Sequence, residues 1–154
     1  MNKEIITNSP EETEAFGAEI ARYINEDKSA PKFIALYGDL GVGKTAFVRG
    51  LASIIAPKSI VRSPTFAIVN EYRAEKFSLF HFDMYRIEDE DDLTSIGFYD
   101  YLKKDGYCIC EWSENIISEI PSDAISVTIK KTQKADEERE IIIEGGDLLE
   151  DFIA

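Results

Sequence analysis

Positive charge is scarce in this sequence. Among 154 residues, 17 Lys and Arg stand against 30 Asp and Glu, for a formal net charge of −13 and a pI near 4.5. Clustered Lys and Arg drive binding to nucleic-acid phosphates and anionic lipid, so a chain of this balance is not built to grip either by itself. A nucleotide site is not excluded, because it needs only one local nest of donors. Cysteine is nearly absent too. Cys108 and Cys110 lie two apart in an apolar run, where a strand points both to one face. A disulfide between such neighbours is geometrically poor, and two thiols make no zinc site, so both read as small core hydrophobes. No apolar run approaches the roughly 20 residues of a membrane span. The opening Met1-Asn2-Lys3-Glu4 lacks the plan of a signal peptide. The expectation is a cytoplasmic protein without a membrane partner. There is no internal repeat, low-complexity tract or long linker, and residues 1–154 read as a single domain.

What is present is an alternation of short apolar runs and amphipathic stretches. Glu4 to Thr7 predicts a first strand. Ser9-Pro10-Glu11-Glu12 predicts a helix start, with Ser9 as N-cap and Glu12 closing a capping box, followed by Phe16, Ile20 and Ile24 on one face. Lys32 to Tyr37 is almost wholly apolar, as a strand covered on both faces should be. Thr45 to Ile55 predicts a second helix. Phe66 to Arg73 and Phe77 to Tyr85 predict a hairpin. The five acids Glu88 to Asp92 suit a solvated loop or helix start, with Leu93, Ile96, Tyr101 and Leu102 as helical apolar positions. Tyr107 to Trp112 predicts another buried strand, and Asn115 to Ile120 a short helix closed by Pro121. Ala124 to Lys130, alternating at Ile125, Val127 and Ile129, should pair antiparallel with Arg139 to Glu144. Asp147 to Ala154 predicts a last amphipathic turn. The fold class is α/β, a P-loop NTPase-like three-layer fold with a mixed parallel and antiparallel sheet flanked by helices.

The segment Gly38-Asp39-Leu40-Gly41-Val42-Gly43-Lys44-Thr45 matches G-x-x-x-x-G-K-[ST] in full, between a buried strand and an amphipathic helix. Glycines let the backbone curl so that successive N–H groups face a phosphate. Lys44 supplies a point charge to the β- and γ-phosphates, and Thr45 offers a hydroxyl to Mg²⁺. The helix N-terminus adds partial positive charge. Average residue usage puts an accidental match at on the order of one in a hundred. No N-K-x-D guanine signal follows Lys44, so ATP is the expected nucleotide.

Such a site needs an acid at the end of a neighbouring strand. Asp83, after Leu79-Phe80-His81-Phe82, and Glu111, after Cys108-Ile109-Cys110, both qualify. Either suits the metal, leaving the other to orient water. In Ser63-Pro64-Thr65-Phe66, Pro64 forces Ser63 to be extended and presents Thr65 where a switch hydroxyl would sit. His81, the only histidine, reads as a packing residue with one satisfied nitrogen. Trp112, the only tryptophan, either covers the site or packs.

Taken together, Tyr37-Gly38-Asp39-Leu40-Gly41-Val42-Gly43-Lys44-Thr45, Ser63-Pro64-Thr65-Phe66, His81-Phe82-Asp83-Met84-Tyr85-Arg86 and Glu111-Trp112 resemble the bacterial TsaE (YjeE) family of small P-loop ATPases over nearly the whole chain. The resemblance implies a role in making N6-threonylcarbamoyladenosine at position 37 of tRNAs that read ANN codons. It implies action with TsaD-like and TsaB-like proteins, and contact with tRNA only through that complex. By motif, it implies nucleotide contacts at Gly38 to Ala46 (including Leu40, Val42 and Gly43), Mg²⁺ on Thr45 and Glu111, water positioning by Asp83, and catalytic parts for Lys44 and Thr65. By position it adds Thr13 and Arg139 as nucleotide contacts. The rival class is a small-molecule kinase on a P-loop scaffold, against which stands the lack of an Arg-rich lid segment. A regulatory GTPase is the third.

Overall fold

The computed structural model describes residues 2–26, 30–39, 41–65 and 67–145. Leu40, Phe66 and the turn expected at Asp147 to Ala154 lie outside them. Seven strands form one sheet: β1 (Asn2–Thr7), β2 (Phe33–Tyr37), β3 (Val69–Tyr72), β4 (Ser78–Asp83), β5 (Gly106–Glu111), β6 (Ile125–Lys131) and β7 (Arg139–Glu144). Their spatial order is β1-β7-β6-β2-β5-β4-β3. The four central strands β6, β2, β5 and β4 are parallel. The outer strands close in antiparallel, β7 on β6, β1 on β7 and β3 on β4.

Both faces of the sheet are covered, which explains why its central strands read as unbroken apolar runs. On one face, helices α1 (Pro10–Glu26) and α2 (Lys44–Ile55) pack Phe16, Ile20, Phe47 and Leu51 against Ile34, Leu36, Ile109, Val127 and Ile129. On the other, α3 (Glu90–Ser95), α4 (Phe98–Leu102) and a 3₁₀ segment, Ser113–Glu119, cover Phe33, Ala35, Phe80, Phe82, Cys108 and Cys110. Phe98 anchors this second layer through edge-on contacts with Phe33 and Phe82, at ring separations of 6.2 and 5.6 Å. Such pairs add about 0.5–1.5 kcal/mol each beyond their buried area. The cysteines share one face as expected. Burial pushes the Cys108 thiol up to about 12, which keeps it protonated and unreactive at neutral pH.

Local departures from the sequence reading have local causes. The Glu12 carboxylate accepts from the Asn8 N–H at 2.8 Å, one residue outside the expected capping box, while the Glu12 N–H donates to Ser9 Oγ at 3.1 Å. β3 covers only four residues of the expected Phe66 to Arg73, because Ile68 has φ +70° and turns its N–H to Pro64 O at 2.7 Å. The acids at 88–92 start α3, with Asp89 as N-cap accepting from the Asp92 N–H at 2.9 Å. Gly97, at φ +77°, divides the expected apolar helix into α3 and α4, leaving Leu102 exposed. The helix expected at Asn115 to Ile120 is 3₁₀ and kinked at Ile116.

Helices α1 and α2 cross at two glycines. A Cβ on Gly50 would lie 2.0 Å from Glu14 O and 2.9 Å from Ala18 N, and one on Gly17 would lie 2.3 Å from Phe47 O. These obstacles are backbone and cannot rotate away, so α1 and α2 must separate to admit even a methyl group. Gly50→Ala is expected to destabilise the fold by at least about 2 kcal/mol, as overpacking of a closed interface does. A lowered urea midpoint at constant m-value is the measurement.

Candidate active site

The central strands end together. In register, Leu36 of β2 pairs with Glu111 of β5, and Glu111 pairs with Asp83 of β4. The two acids that sequence placed on separate strands are therefore neighbours, one residue from where β2 runs into the glycine loop. The loop bends through Gly38 (φ +146°), Gly41 (+78°) and Gly43 (+111°). At Gly38 a Cβ would also meet Ile129 O at 2.7 Å and Val42 Cγ2 at 2.9 Å, so β6 pins the bend. No side chain caps α2, and its first hydrogen bond runs from the Phe47 N–H to Gly43 O at 3.1 Å. The amides of Lys44, Thr45 and Ala46 thus have no acceptor within the helix. With the helix dipole they form a cradle for an anion.

Lys44 folds back over this cradle and is buried. Its ammonium donates to Gly38 O at 2.7 Å, lies 3.8 Å from Glu111 Oε1 and sits 4.8 Å from the Trp112 ring centre. Trp112 reaches that position in a left-handed conformation, φ +58°, with Tyr85 packed on it at 5.0 Å. Of the two readings of Trp112, covering the site is the one this geometry supports. Asp83 is buried, and its Oδ1 accepts from the Tyr85 N–H at 2.9 Å. Thr65 is half-buried; its hydroxyl bonds Ser63 Oγ at 2.6 Å rather than the glycine loop. Its segment nevertheless hooks onto β4, since Asp83 N–H donates to Ile68 O at 2.8 Å.

Thr13 and Arg139 converge on the loop from opposite elements, together with Gly41, Val42 and Gly43, around a small cleft of about 150 Å³. Arg139 braces the loop by donating from Nε to Val42 O at 2.7 Å. Its Nη1 bonds Asp136 O and Glu138 O at 2.6 and 2.9 Å. Thr13 is buried with its hydroxyl 2.8 Å from that of Thr7.

Sequence reasoning missed the other flank. A cleft of about 570 Å³ runs beside Gly38 and Asp39, walled by Glu114, Thr128, Lys130 and Lys131. Thr128, Lys130 and Lys131 adjoin the loop because β6 lies next to β2, and Glu114 because β5 does on the other side, which no local pattern reveals. Burial raises the Glu114 carboxyl above its ordinary range; Asp39 pushes the same way, while a backbone hydrogen bond and Lys44 oppose it. His81 packs in the core as expected, but the expectation of one satisfied nitrogen is corrected. Both ring nitrogens are engaged, Nε2 with Glu111 Oε2 at 2.5 Å and Nδ1 with the Tyr72 hydroxyl at 3.3 Å. A larger cleft of about 650 Å³ lies at the opposite end of the sheet, between the end of α2 and the β3–β4 turn. Chemistry, not size, selects the site at the glycine loop.

Comparison with known proteins gives the family and the fold. The family model described as threonylcarbamoyl adenosine biosynthesis protein TsaE matches residues 7–141. The chain belongs to the TsaE family. That span contains the glycine loop, both strand-end acids, Thr13 and Arg139. Among curated relatives, the tRNA threonylcarbamoyladenosine biosynthesis protein TsaE of Bacillus subtilis is 38% identical over 88% of this chain and 80% of its own length. That of Treponema pallidum is 30% identical over 90% and 97%. The crystal structure of Bacillus subtilis YdiB superposes with a TM-score of 0.77 at 30% identity, covering 98% of this chain and 93% of that one. The three-layer α/β fold with a mixed seven-stranded sheet is thus shared with that structure over nearly the whole of both chains. No helix among the described residues is long and apolar enough to cross a membrane.

The Lys44–Glu111 pair lends itself to a test that needs no ligand. Removing either partner takes a countercharge from a buried group, so Lys44→Met and Glu111→Gln should each destabilise by about 3 kcal/mol. The double variant should recover about 1–2 kcal/mol of the summed loss. Chemical denaturation of the four proteins measures the coupling.

Proposed function

We propose that the chain is a Mg²⁺-dependent ATPase subunit, one P-loop unit that supports formation of the threonylcarbamoyl group on adenosine 37 of tRNAs reading ANN codons. The observation that carries the reading is the juxtaposition at the end of β2. A glycine bend with an uncapped helix start lies beneath a buried lysine, beside two strand-end carboxylates in register. That donor set fits a polyphosphate. Amides and ammonium neutralise its charge, and a hydroxyl with one carboxylate is what magnesium asks of a protein when phosphates complete its shell. Among the described residues no group of three His, Cys, Asp or Glu gathers.

In this reading Gly38 to Ala46 wrap the phosphates, and Arg139 keeps the loop in shape from β7. Thr13 borders the same cleft. Thr45 and Glu111 would hold Mg²⁺, which when bound supplies positive charge to the phosphate oxygens. Lys44 exchanges its contact with Gly38 O for phosphate oxygens. Asp83, with Oδ1 committed to Tyr85, offers its other oxygen to the attacking water, and Thr65 serves as the switch hydroxyl. A surface at −13 repels tRNA at long range. The RNA is therefore held by TsaD-like and TsaB-like partners, which this subunit joins under nucleotide control. The relatives are named as tRNA threonylcarbamoyladenosine biosynthesis proteins, which supports a part in that pathway.

Two substitutions separate binding from turnover. Lys44→Ala should weaken ATP binding by about 10–100-fold, the value of one charge-assisted hydrogen bond; calorimetry showing undiminished affinity removes the site assignment. Asp83→Ala should bind ATP with near-normal affinity while hydrolysis slows by about 100-fold or more. A full rate in that variant assigns the water-orienting part elsewhere. A pull-down with and without ATP, probed for TsaD- and TsaB-like proteins, tests the partners.

A further inference from the structure

His81 lies in β4 between Phe80 and Phe82 and is fully buried. Packing alone would be met by an apolar side chain there, without the cost of desolvating an imidazole. Its two nitrogens instead join groups on different elements. Nε2 meets Glu111 Oε2 at 2.5 Å, and Nδ1 meets the Tyr72 hydroxyl at 3.3 Å. That hydroxyl accepts from the Arg62 N–H at 3.1 Å and lies 3.0 Å from Arg62 O, its one proton serving either that carbonyl or His81 Nδ1. Asn70 Nδ2 donates to the same carbonyl at 3.0 Å. A continuous path therefore runs from the carboxylate beside Lys44 to the main chain just ahead of Ser63-Pro64-Thr65. The far side of that segment is tied to the second acid, through Pro64 O, Ile68 and the Asp83 amide. The segment is thus fastened at one end to the Glu111 side chain, through His81 and Tyr72, and at the other to the main chain of Asp83.

We propose that His81 and Tyr72 are positioning residues. His81 holds the Glu111 carboxylate in the orientation that serves the metal, and Tyr72 transmits any displacement of that carboxylate to residues 59–65. The inference rests on the nucleotide reading above. A carboxylate held on one oxygen by imidazole keeps the other directed at the glycine loop, where Lys44 now lies 3.8 Å away. When a phosphate draws Lys44 off, Glu111 shifts, and the buried contacts from Glu111 through His81 to Tyr72 pass the shift outward.

Three variants separate the two roles. The amide of His81→Gln can still reach Glu111 but not Tyr72; Tyr72→Phe breaks only the outer link; His81→Phe breaks both. The readouts are the ratio of ADP dissociation constants without and with Mg²⁺, by calorimetry, and amide hydrogen exchange across residues 59–65 with and without Mg-ADP. In the unaltered protein Mg-ADP should change exchange at the Arg62 amide by tenfold or more. Tyr72→Phe should bind Mg-ADP within threefold of normal and lose that change. His81→Gln should keep the magnesium enhancement but lose the exchange response, whereas His81→Phe should lose both. Should His81→Phe fail to fold, the other two carry the test. An exchange response in Tyr72→Phe equal to that of the unaltered protein overturns the transmission. A lost enhancement in His81→Gln, or an intact one in His81→Phe, overturns the positioning. Failure of the unaltered protein to bind ADP overturns the proposed function, and this inference with it.

Discussion

The buried ammonium of Lys44 is the charge on which the rest of the site depends. Taking a lysine out of water costs several kcal/mol unless partners replace its hydration, and every nearby feature supplies one. Gly38 turns its carbonyl inward, Glu111 supplies the countercharge, and Trp112 offers its ring face. Those contacts hold the cation over a ring of amides that itself favours negative charge. The combination of a positive cradle and a positive lid is stable only because Glu111 stands beside it.

That arrangement explains demands placed on the scaffold far from the loop. Glu111 must end a strand next to β2, so β5 must be central and parallel, buried on both faces. Its cysteines satisfy that burial because small apolar side chains fit under α4 and the 3₁₀ segment. The helix that carries Lys44 must also sit close to the sheet. The crossing of α1 and α2 at Gly17 and Gly50 presses it down and brings Thr13 beside the loop in the same step. Packing and chemistry share these residues.

The acidic surface and the phosphate cradle are compatible because they act at different ranges. A net charge of −13 is felt at about a Debye length, near 8 Å at physiological salt, and disfavours a long polyanion. Amides and one ammonium act at hydrogen-bond distance, where the compact triphosphate proposed for this site would be held regardless of the distant field.

The chain sequence by itself determined the element order, the apolar faces of the strands and helices, the glycine bend and the identity of its lysine and threonine. Each is a local matter, since a strand–glycine–helix motif and a 3.6- or 2-residue period lie within a few consecutive positions. The two acids were legible as strand ends but not as neighbours. Pairing Asp83 with Glu111, setting Lys130 beside Gly38 and linking His81 to Tyr72 and Arg62 required the strand order β6-β2-β5-β4-β3. That order follows from which buried faces and crossovers fit together across the whole sheet. His81 shows the difference most plainly: its neighbours in sequence are phenylalanines, which announce a core position, while its neighbours in space are a carboxylate and a phenol. Tertiary structure alone decided that this imidazole has polar partners at both nitrogens, because only the sheet brings those groups within reach.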